Sequence, residues 1–112
     1  MNDTITLLSA LAEPTRLAAL RIIWNGRETC VCELMRDLGA TQSRMSRHMN
    51  VLKTAGLVVD RRDAQWVRYR RAPELPEEVV TLVEAALALA STSVTVPDSA
   101  PTSTETLERQ PV

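Results

Sequence analysis

The only two thiols of this 112-residue chain, Cys30 and Cys32, stand one residue apart in R-E-T-C-V-C-E-L-M, residues 27–35, at the start of an expected helix. Thiolates select soft, thiophilic ions, and two of them in a reducing compartment form a chelate. Two are too few for a closed structural zinc site, which takes four ligands, and the chain has one histidine to add. Arg27 and the amino end of the helix favour the thiolate form, while Glu28 and Glu33 oppose it. Met35, three residues after Cys32, falls on the same side of the helix, a spacing that equally suits ordinary core. In a regular helix, positions i and i+2 diverge by about 200°, so both sulfurs could share an ion only if the first turn were distorted. Ion capture would then strain that helix and the elements packed against it. A reversible disulfide would need no third ligand, but two cysteines this close make a strained ring that a reducing compartment disfavours. The chemistry of a thiol enzyme has little support: it needs a base beside the nucleophile, and there is no glycine-rich phosphate loop. Burial of both cysteines as small apolar residues remains the plain alternative, and it predicts that serine at both positions changes nothing.

A second cluster is basic. Between Thr41 and Ala72 eight arginines and lysines face two aspartates, a net charge of +6 in a chain whose total is −1. Charge runs often only solvate a surface, but these residues fall on elements suited to duplex DNA. Gln42, Ser43, Arg44, Ser46, Arg47 and His48 open a helix capped by Thr41, where base edges in a major groove are read. Gln pairs with adenine, Arg with guanine, and Ser and His with phosphate or base. His48, between Arg47 and Met49, equally suits a partly buried structural role. Arg61, Arg62 and Arg68 stud two β-prone segments and would grip phosphate or a minor groove.

The elements that must position these groups follow from periodicity. A first helix covers 4–12 behind Asp3, and a second runs from Pro14 to Asn25-Gly26 with Leu17, Leu20, Ile23 and Trp24 on one side. Val31 to Leu38 forms a third, ended by Gly39, and the fourth runs from Thr41 to Gly56. L-V-V-D-R-R and W-V-R-Y-R-R, separated by Asp63-Ala64-Gln65, read as a hairpin, and residues 76–90 as a last helix. The fold expected is mainly α with a small β-hairpin, a winged helix-turn-helix in residues 1–90. Residues 91–112, rich in Ser, Thr and Pro, read as a disordered tail. With no Phe, 45% apolar residues and no apolar run near the roughly 20 residues of a membrane span, one helical, cytoplasmic domain is expected. The amino terminus lacks the basic region of an export signal.

These segments resemble the arsenical-resistance repressor family of ArsR/SmtB-type winged-helix metalloregulators over about residues 5 to 90. A-E-P-T-R-L-A-A-L-R-I-I is similar to the family's second helix, T-C-V-C-E-L-M to its cysteine box, Q-S-R-M-S-R-H-M-N-V-L-K-T-A-G-L-V to its reading helix and D-R-R-D-A-Q-W-V-R-Y-R to its wing. The resemblance implies a homodimer built by the first and last helices, binding double-stranded operator DNA. It also implies a repressor with no permanent cofactor, released when As(III) or Sb(III) binds Cys30 and Cys32. The alternative is a redox or other soft-metal response through the same thiols. Met35 stands where the family often has a third cysteine, so a thioether, a water or an external small thiol would complete the site. Ala64 stands where many wings have glycine. The last helix lacks the Asp and His with which other members bind zinc, cobalt or nickel.

Overall fold

The computed structural model describes residues 3–95. Helix α1 (Thr4–Leu11) begins where the Asp3 carboxylate accepts from the Thr6 amide at 3.1 Å. Glu13 does the same for α2 (Pro14–Ile23), accepting from the Arg16 amide at 2.9 Å, with proline in the first turn where no amide is missed. A two-residue strand, β1 (Thr29–Cys30), runs straight into α3 (Val31–Leu38). Gly39 ends α3 at φ 65°, and its amide bonds back to the Met35 carbonyl, a left-handed cap that favours glycine. Thr41 then caps α4 (Gln42–Thr54) through the Arg44 amide at 3.2 Å.

Strands β2 (Val58–Asp63) and β3 (Trp66–Arg71) form the expected hairpin, with Asp63 opposite Trp66 and only Ala64 and Gln65 in the turn. Ala64 adopts φ 58°, the region that glycine occupies at least cost. The sheet has one strand more than the sequence suggested. β1 pairs antiparallel with β3, Thr29 opposite Tyr69 and Cys30 opposite Arg68, to give the order β1-β3-β2. Two residues are too few to show a period of two, which is why the strand was not foreseen. The last helix, α5, spans Glu77–Thr95 and so passes the expected end at residue 90; residues 96–112 of the expected tail lie outside the described residues.

The core is aliphatic and thioether. Leu20 and Ile23 of α2, Leu34 of α3, Met45, Met49 and Leu52 of α4, Leu57, and Val83 of α5 are fully buried. Met45, Met49 and Leu52 follow at i, i+4 and i+7, so one face of α4 is fastened inward and the opposite face is presented outward. Trp24 ties this centre to the periphery: its Nε1 donates to Glu84 of α5 at 3.2 Å, and the Arg71 guanidinium lies 4.3 Å from its ring centre.

Candidate thiol site and nucleic-acid interface

Cys30 lies outside the helix. Its backbone is extended, at φ −69° and ψ 145°, and it serves as the N-cap of α3 while Cys32 sits in the first turn. The sulfurs therefore reach each other without unwinding any helical turn, which corrects the expectation of a distorted first turn. They are paired as Cys30–Cys32, with Cα atoms 5.2 Å apart, where the sequence suggested separate thiols. The cap is reciprocal: the Cys32 amide donates to Cys30 Sγ at 3.3 Å, and the Cys30 amide donates to Glu33 Oε1 at 3.0 Å. Cys30 is buried, Cys32 half-buried, and Met35 half-buried against the core. Among the described residues no group of three or more His, Cys, Asp and Glu side chains could hold a metal ion, so the protein's own anionic donors here are two sulfurs. Two thiolates fit a thiophilic trivalent centre in kind and leave one position for an outside ligand.

On α4 the candidate DNA residues divide by exposure. Gln42, Ser43, Arg44 and Arg47 are exposed, and Ser46 is half-buried beside them. His48, one turn beyond Arg44, is half-buried toward the α1–α2 junction. Its side chain is 16% exposed, and Nδ1 accepts from Arg16 Nη1 at 3.2 Å, a guanidinium being only a donor, with Glu13 Oε1 3.9 Å away. Arg16 also donates to the carbonyls of Ala10 and Ser9, so His48 is tied to the α1–α2 junction. Burial pushes the Glu13 carboxyl up, but hydrogen bonds from the Arg16 and Thr15 amides, with the Arg16 charge, outweigh it, and Glu13 lies below the usual carboxylate range. A link across 32 residues leaves no local signal in the sequence.

The wing arginines divide as well. Arg61 and Arg68 are cross-strand partners and share one face of the sheet, whereas Arg62, between them in sequence alternation, is exposed on the other. Arg68 donates to Asp63 at 2.7 Å, and Arg61 holds Glu28 through two bonds. The hydrogen bonds from these guanidinium groups draw both carboxylates below their ordinary range. Arg70, exposed and on the same face as Arg61 and Arg68, joins the set of surface cations although the sequence did not single it out. Lys53 at the end of α4 pairs with Asp60 of β2 at 3.2 Å, fixing the wing to the helix it flanks.

Residues 13–59 match the family described as bacterial regulatory protein, arsR family. The arsenic resistance transcriptional regulator ArsR2 of Pseudomonas putida is 41% identical over 81 residues, covering 72% of this chain and 70% of that protein. The arsenical resistance operon repressor of Escherichia coli is 35% identical over 82 residues, covering 73% and 70%. The homodimeric winged helix-turn-helix DNA-binding domain Mb0332 of Mycobacterium bovis superimposes with a TM-score of 0.63 at 29% identity, covering 78% of this chain and 77% of that one. Capped helices, a left-handed glycine turn, an outward α4 face and an arginine-bearing wing coincide with these matches, and the chain belongs to the arsR family, as a winged-helix, DNA-binding transcriptional repressor rather than an enzyme.

Proposed function

We propose that this repressor binds operator DNA as a homodimer and lets go when trivalent arsenic or antimony is captured by Cys30 and Cys32. The observation that carries the reading is the position of the Cys30 sulfur. It lies beside the Cys32 sulfur, caps the helix that precedes α4, and belongs to a residue hydrogen-bonded into the wing sheet. A sulfur that forms a bond to an electrophilic ion gives up electron density with which it accepted the Cys32 amide. Capture thus competes with the cap, and through α3 and β1 it acts on both α4 and the wing, which is a negative coupling between ion and DNA. Arsenous acid and two thiols would give two As–S bonds and two waters, leaving one hydroxyl or an outside thiol in the third position.

Gln42, Ser43, Arg44, Ser46 and Arg47 would meet the major groove, and Arg61, Arg62 and Arg68 the phosphates. His48 would act by seating α4. Exposed Ile5 and Leu8 on α1 and Leu89 on α5, on the first and last helices, support a dimer through those faces, and both arsenic-named relatives support the choice of inducer. Residues 1–90 would hold all of these parts, so ending the chain after Thr95 should leave binding and release intact. Among the described residues no helix is long and apolar enough to cross a membrane, in keeping with work on cytoplasmic DNA. The test is an absorbance titration of the reduced protein with arsenite. One equivalent per protomer is expected, with none bound by Cys30→Ser; full binding by that variant would overturn the site.

One observation favours a second reading, the Cys30–Cys32 pairing itself. Hydrogen peroxide would take two electrons and two protons from the thiols, leave as two waters, and form the disulfide in place of an ion complex. Release of DNA by peroxide without arsenite, reversed by dithiothreitol, would support it over the first.

A further inference from the structure

Glu28 occupies Arg61 as a phosphate would. Its two carboxylate oxygens accept from Nε and Nη2 of Arg61 at 2.7 and 2.8 Å, the forked geometry with which a guanidinium also grips a phosphate. The partners come from separate elements: Glu28 leads into β1, Arg61 lies on β2, and β3 runs between them. Cys30, Arg68 and Arg61 are in register across the three strands. A pocket of about 220 Å³ is lined by Glu28, Asp60, Arg61, Arg68 and Arg70, so two carboxylates meet three guanidinium groups, and of the two Asp60 is already held by Lys53. The pair is open to solvent, with Arg61 57% and Glu28 30% exposed.

We propose that Glu28 is an internal competitor for DNA phosphate at Arg61, an affinity-setting residue placed on the approach to the strand that carries Cys30. The inference rests on the reading in which this wing lies against DNA. Arg61 can offer a phosphate its Nε–Nη2 fork only by giving up Glu28. The freed carboxylate then takes up a cation, which cancels the counterion that the phosphate releases, so in the wild-type protein Arg61 adds little to affinity or to its salt dependence. Glu28 is a positioning residue in this scheme, since it acts on DNA through Arg61.

The test uses the full chain and a duplex selected by the wild-type protein from a randomised library. Dissociation constants are measured at several salt concentrations for wild type, Glu28→Gln, Arg61→Ala and the double variant. Exposed ion pairs are weak, so Glu28→Gln should tighten binding by about two- to threefold per subunit, or roughly four- to tenfold for a dimer. It should steepen the salt slope by about 0.9 per subunit. The double variant should match Arg61→Ala alone. Glu28→Ala, a second removal of the carboxylate, should behave as Glu28→Gln does. Unchanged affinity and slope in both Glu28 variants would overturn the inference, as would equal tightening without Arg61, which would assign the effect to net charge. A wild-type chain with no affinity for duplex DNA would instead overturn the reading beneath it.

Discussion

Cys30→Ser and Cys30→Ala separate the two tasks given to one sulfur. In the native chain Cys30 Sγ accepts the Cys32 amide at 3.3 Å, and the same sulfur is a proposed ligand. Serine supplies a better cap than sulfur and no soft ligand, while alanine supplies neither. Both variants lose the packing of a side chain that is 3% exposed, so their difference isolates the cap. An N-cap serine exceeds alanine by about 1 kcal/mol, and in a domain of this size that separates melting temperatures by about 4–8 °C. Thermal melts in reductant without arsenite should therefore rank serine above alanine. In fluorescence anisotropy with duplex DNA, serine should bind as tightly as wild type and stay bound when arsenite is added. Alanine should bind more weakly from the outset, because α3 is already uncapped. Equal melting temperatures and equal DNA affinities for the two variants would refute the capping argument, whatever arsenite does.

Arg47→Ala should weaken DNA binding and lower the salt slope by about one per subunit if it touches phosphate, whereas His48→Ala should lower the melting temperature and affinity with the slope unchanged; the reverse assignment of slopes would refute the facing of α4. Ala64→Gly should stabilise the wing by about 0.5 kcal/mol, since relief of φ 58° exceeds the added chain entropy, and a lower melting temperature would contradict that turn. Glu13, Glu28 and Asp63 all titrate below their ordinary values in the folded protein. Their stabilisation is complete above the unfolded carboxylate range, at about pH 5, and is lost as pH falls through the depressed folded values. Acid melts should show this loss diminished in Glu28→Gln, and an identical pH profile would contradict the Glu28–Arg61 pairing.

Much of the architecture was legible because it is local. Asp3, Thr41 and Gly39 act within four residues of where they stand, and the 3.6-residue spacing of Met45, Met49 and Leu52 shows directly which side of α4 faces inward. What escaped depends on distant partners. The alternation of Arg61 and Arg62 could have divided them between faces, but Glu28 as the partner of Arg61 and Arg16 as the partner of His48 follow only from the tertiary fold. The thiol geometry escapes for a related reason. Helical periodicity does not reach back from Val31 to Cys30, and a single extended residue at the N-cap turns two diverging side chains into a facing pair.

The central claim is that ion capture at Cys30 and Cys32 releases DNA. Its most direct measurement is the anisotropy of a labelled duplex, selected by the protein itself, held by the reduced chain and titrated with arsenite. The wild-type protein should be released as about one equivalent binds per protomer, while Cys30→Ser and Cys32→Ser remain bound at the same concentrations. Release of either single variant at wild-type arsenite concentrations would contradict the account.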